Sequence, residues 1–128
     1  MPDKISVLIV DDHDFFRKTL KKYLRNTETI SIVGEAKNGI EAVTIAKKLS
    51  PCLVLMDITM PGMNGIEACQ AIKESNPETK VVLFSMYGLE QSTNGGKTCA
   101  EKFVAKDRLF NELPSIIEEF GRETAAQF

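Results

Sequence analysis

Five short apolar runs recur along this chain, separated by stretches whose apolar residues return at helical spacing. The runs are Ile5-Ser6-Val7-Leu8-Ile9-Val10, Ile30-Ser31-Ile32-Val33, Cys52-Leu53-Val54-Leu55-Met56, Val81-Val82-Leu83-Phe84 and Phe103-Val104-Ala105. They are apolar at successive positions rather than alternate ones, as befits strands covered on both faces in a parallel sheet. Between them, Phe16, Leu20 and Tyr23 or Leu24 share one helical face, as do Ala42, Ile45, Ala46 and Leu49. Ser50-Pro51 stops the second helix, and Asn76-Pro77 closes a third marked by Ala68, Cys69 and Ile72. Phe110, Leu113, Ile117 and Phe120 define a last helix. Pro114 fits that helix only near its first turn, since deeper inside it costs about 3 kcal/mol.

Strands alternating with helices predict an α/β fold: a three-layer, doubly wound, five-stranded parallel sheet. At 128 residues the chain is long enough for one such domain and too short for two. We expect the domain over residues 1–121, with 122–128 a tail or the start of a linker. Right-handed crossovers bring the C-terminal ends of all strands to one edge, where ligands bind. The residues just past each run therefore matter most. Asp11 and Asp12 come after the first, Asp57 after the third, Ser85 after the fourth and Lys106 after the fifth.

Gathered on one edge, three carboxylates repel. Two charges 4 Å apart cost roughly 4 kcal/mol at an effective dielectric of about 20. Such a cluster calls for a hard divalent cation, and Mg2+ accepts carboxylate and carbonyl oxygens and bridges to phosphate. Lys106 adds a point charge for an anion, and Ser85 a short hydroxyl donor. The set describes phosphoryl transfer onto a carboxylate. A turn or helix-cap role for Asp11-Asp12 needs one Asp and leaves Asp57 and Lys106 unexplained. His13 reads as a solvated loop residue, and Phe103 as both core and switch.

The charge balance of 16 basic and 18 acidic residues gives no positive field for nucleic acid. No apolar run reaches 18 residues, and the N-terminus has no signal-peptide pattern. Cys52, Cys69 and Cys99 form no C-x-x-C, which argues against a disulfide scaffold or zinc site and suits a reducing cytosol. All three are expected to be buried small hydrophobes.

Four pieces in order carry a resemblance: Val10-Asp11-Asp12-His13, the stretch from Met56 through Asp57, Ile58, Thr59, Met60, Pro61, Gly62, Met63 and Asn64 to Gly65, Leu83-Phe84-Ser85-Met86-Tyr87, and Phe103-Val104-Ala105-Lys106. Over residues 4 to 120 the chain resembles the receiver domain of two-component response regulators, and most of all the NarL/FixJ class. The resemblance implies a flavodoxin/CheY-like fold. It implies that Asp57 accepts a phosphoryl group from a histidine kinase or phosphotransfer protein. Asp11 and Asp12 would hold Mg2+ with the Asp57 carboxylate and the Thr59 carbonyl. Lys106 would contact the phosphoryl group, Ser85 would swing in to donate to it, and Phe103 would follow as the switch. Met60, Pro61 and Gly65 would shape the loop, and Thr59 and Tyr87 would tune dephosphorylation.

The resemblance further implies a cytoplasmic protein that is no turnover enzyme and pairs as a homodimer on phosphorylation. Its output would be transcription, with DNA reached only through a separate C-terminal domain. The alternatives are a stand-alone receiver acting by protein–protein contact and a phosphorylation-independent pseudo-receiver. A haloacid-dehalogenase-like phosphatase needs a second acid where Thr59 stands. A flavodoxin-like cofactor carrier needs a phosphate loop where Asp11-Asp12 would repel phosphate.

One stretch departs from the pattern. Residues 89–98 should form the helix between the fourth and fifth strands, but Gly95 and Gly96 cost that helix roughly 2 kcal/mol. Cys99-Ala100 stands where the family has Gly-Ala, and Lys102 replaces another glycine. We expect this helix to be weak or displaced.

Overall fold

The computed structural model describes residues 4–86 and 99–126. Tyr87 and the helix expected over residues 89–98 lie outside the described residues. The described elements run β1 (Ile5–Val10), α1 (Asp14–Arg25), β2 (Ile30–Ala36), α2 (Gly39–Leu49), β3 (Leu53–Asp57), α3 (Gly65–Ser75), β4 (Lys80–Ser85), β5 (Lys102–Ala105), a 3-10 turn (Lys106–Arg108) and α4 (Leu109–Ala126).

All paired strands are parallel, in the order β2-β1-β3-β4-β5. This is the doubly wound α/β sheet that the alternation predicts, and the winding reverses between β1 and β3. Two cores flank it. On one face Ile5, Val7, Ile9, Leu53, Leu55, Val82 and Phe84 meet Leu20, Leu24, Leu113, Ile116 and Phe120. On the other Leu8, Val10, Val54, Met56, Val81 and Leu83 meet Ala42, Ala46, Ala68, Cys69 and Ile72.

Local chemistry sets the ends. Asn38 caps α2 by accepting from the Glu41 N–H at 2.9 Å. Ser50 then takes a left-handed conformation (φ 46°) at its C-terminus, and Pro51 bars continuation. Asn64 and Glu67 close a reciprocal capping box on α3.

Three expectations need correction. β2 runs past Val33 to Ala36. It is an edge strand and half-exposed, so Gly34 and Glu35 extend it without an apolar signature. Pro114 sits in the second turn of α4, not near the first. Its ring faces solvent, while buried Leu113, Ile116, Ile117 and Phe120 offset the lost backbone bond. Of the cysteines only Cys69 is buried; Cys52 and Cys99 are half-buried, and all three are free.

Candidate functional site

The ends of β1 and β3 are neighbours, with Val10 paired to Met56, so Asp11 and Asp57 emerge side by side. Asp57 pairs with Phe84 and Ser85 with Ala105, which sets Ser85 and Lys106 along the same edge. Asp11, Asp57 and Ser85 are buried, and Lys106 is 9% exposed.

The two buried carboxylates are held alike. Asp11 Oδ1 accepts the His13 N–H at 2.8 Å, and Asp57 Oδ1 accepts the Thr59 N–H at 3.0 Å. Each is an Asx turn at a strand end, so the turn role and the charge role coexist. The second oxygens face Lys106. Its Nζ lies 2.9 Å from Asp11 Oδ2 and 3.2 Å from Asp57 Oδ2. The ammonium also sits 4.3 Å from the centre of the Phe16 ring, a cation–π contact. Burial pushes the Asp57 carboxyl above its ordinary value, while the Lys106 charge pulls it back.

The loop after β1 is pinned from below. Buried Arg17 donates to the Asp11 carbonyl at 2.7 Å, to Asp14 at 2.6 Å and to Glu35 at 3.1 Å. Lys21 donates to Glu35 at 2.7 Å, and this bond holds the Glu35 carboxyl below its ordinary value.

Asp11, Asp12, His13 and Asp57 each offer a ligand atom within 4.8 Å of the others. Asp11 Oδ2 and Asp12 Oδ1 are shut off from solvent; the first is ion-paired with Lys106, and the second accepts no hydrogen bond. The hard oxygen donors and the surplus of negative charge fit a divalent cation. Thr59 is exposed and joins the cluster through its backbone N–H. Phe103 lies elsewhere: it is half-buried and packs against the core of α2 and α3, across the sheet from the strand face of Asp57.

Comparison with known proteins agrees with this arrangement. The model of the response regulator receiver domain family matches residues 7–118. The chain belongs to that family. The receiver is 34% identical over 103 residues to the nitrate/nitrite response regulator protein NarL of Escherichia coli, covering 80% of this chain and 48% of that protein. It thus spans about half the length of that curated relative. It is 43% identical over 89 residues to a protein-glutamate methylesterase/protein-glutamine glutaminase of Idiomarina loihiensis, covering 70% of this chain and 23% of that one. Its fold matches the signal receiver domain of a NarL response regulator from Mycobacterium tuberculosis, with a TM-score of 0.81, 29% identity, and 94% and 98% of the two chains covered. The chain is therefore similar to parts of proteins with different named activities. Among the described residues no helix is long and apolar enough to cross a membrane.

Three residues at this site escape a reading by pattern alone. His13 turns its Nδ1 into the cluster, Arg17 is buried beneath it, and Phe16 stacks on Lys106. The signal for Arg17 is a basic residue on the apolar stripe of α1, one position after Phe16.

Proposed function

We propose that the receiver accepts a phosphoryl group on Asp57 from a phosphohistidine donor on a histidine kinase or phosphotransfer protein. One observation carries the reading: a buried carboxylate lies within 3.2 Å of a buried lysine inside a cluster of further acids. Asp11, Asp12, Asp57 and the Thr59 carbonyl would hold Mg2+. When bound, the ion would neutralise phosphoryl oxygens approaching the acids. The Asp57 oxygen attacks phosphorus, the phosphorus–nitrogen bond breaks, and the donor imidazole leaves with a proton taken from water. Lys106 pairs with a phosphoryl oxygen as its bond to Asp57 is given up. The Lys106 charge and the Thr59 N–H oppose the effect of burial, which raises the Asp57 carboxyl above its ordinary value. Ser85, one residue past the partner of Asp57 on β4, is placed to donate to the new group. Phe103 then repacks on the opposite face, shifting a two-state equilibrium.

We read the output as transcription, exerted through a DNA-binding domain outside this chain and strengthened by homodimer formation. The receiver itself would act in the cytoplasm. Support comes from the NarL relative, a response regulator of which the matched stretch covers 48%. Incubation with Mg2+ and acetyl phosphate should add one phosphoryl mass to the intact protein, and Asp57→Asn should add none. A folded, Mg2+-binding protein that gains no mass would sink the reading.

A further inference from the structure

The acids are not the only groups turned into the cation site. His13 Nδ1 lies 3.2 Å from Asp11 Oδ1 and 3.2 Å from Asp12 Oδ1. Ligands bound at about 2.0–2.2 Å around one ion stand about 3.0–3.4 Å from their neighbours. The ring nitrogen is within hydrogen-bond reach of Asp11 Oδ1, and its distances to both acids are also those of a coordination edge.

Two further observations point the same way. Asp11 is wholly buried, and among the described residues the one cation its Oδ2 faces is the Lys106 ammonium at 2.9 Å, which it shares with Asp57. A single ammonium among three carboxylates leaves two negative charges unmatched, the charge of one divalent ion. In addition, His13 Nδ1 lies 3.5 Å from Lys106 Nζ, so a ring presenting its lone pair inward has a donor to face. The ring is 62% exposed.

We infer that His13 is a nitrogen ligand of the cation site, giving this receiver a place for a borderline transition ion of the Co2+ and Zn2+ class. Imidazole suits those ions, whereas Mg2+ takes oxygen and keeps its waters. The inference rests on the reading that the acidic cluster holds a cation.

His13 is the only histidine in the chain, so an imidazole signature in untagged protein can come from nowhere else. The test is titration of chelator-treated full chain with Co2+, Zn2+ and Mg2+ separately, by calorimetry and, for Co2+, visible absorption. His13→Ala removes a largely exposed ring and should keep the fold, which circular dichroism verifies. The expected result is at least a tenfold loss of Co2+ and Zn2+ affinity, Mg2+ affinity within twofold, and a changed Co2+ spectrum. Equal Co2+ affinity and an unchanged spectrum would overturn the ligand role while leaving the Mg2+ reading intact. Failure of every cation, Mg2+ included, to bind the parent chain would overturn both.

Discussion

The two faces of the sheet are built from different materials. The face toward α1 and α4 is filled with bulk: Phe16, Phe84, Phe110 and Tyr23 form a ladder with ring centres 5.4 to 5.7 Å apart. The face toward α2 and α3 is filled by closeness, with Ala42, Ala46, Ala68 and Cys69 on the helices. Alternation along the strands sends the chemistry to one side and the candidate switch to the other. Asp11 and Asp57 continue the positions of Ile9 and Leu55, above the aromatic face. Phe103 belongs to the small-residue face. One sheet can thus hold a charge cluster above large rings and still present a ring on its far side to helices lined with small residues.

Each face should fail in its own way. The largest effect is expected from Phe84→Ala, which empties the centre of the aromatic face and should cost about 3–5 kcal/mol in denaturant unfolding. A loss under 1 kcal/mol would mean that the bulk on that side is not what carries it. Ala46→Leu does the opposite on the other face, where added volume has nowhere to go. It should cost about 1–3 kcal/mol, while Ala-to-Leu changes on exposed helix positions cost almost nothing.

The smallest effect has the opposite sign. In chelator, Asp57→Asn should raise the melting temperature by a few degrees. Burial, the largest influence on Asp57, raises its carboxyl above the ordinary value, so the folded state holds that proton more tightly than the unfolded chain does. Its charge therefore costs stability, and the cost grows as pH rises from the ordinary carboxylate value through the raised one. The advantage of the Asn variant should be present at neutral pH and vanish as pH falls through that window. A gap that persists below it, measured by thermal melts across pH, would assign the effect to packing instead.

What could be read from the sequence reflects the physics of parallel strands. Asp11, Asp57, Ser85 and Lys106 are legible because strand ends in such a sheet share one edge, and that inference needs no side-chain geometry. Pro114 is not, because local propensity places it early in a helix, while the burial of Leu113, Ile116 and Phe120 fixes where α4 begins. β2 is not fully legible either, since an edge strand carries only half a burial pattern. His13 is a solvated residue as its sequence reads, 62% exposed, but the approach of its Nδ1 to Asp11 depends on the Asx turn that Asp11 makes, which composition and spacing do not encode.

Lys106 and Asp11 stand at opposite ends of the chain and yet form a single buried ion pair. A nascent chain that has delivered its first four strands carries Asp11 and Asp57 with no ammonium to answer them. Only when β5 docks does the acidic pocket receive its counter-charge. Among the described strands the last, β5, is therefore the one that brings the first strand's end its counter-charge, and a domain without it would leave those acids facing one another.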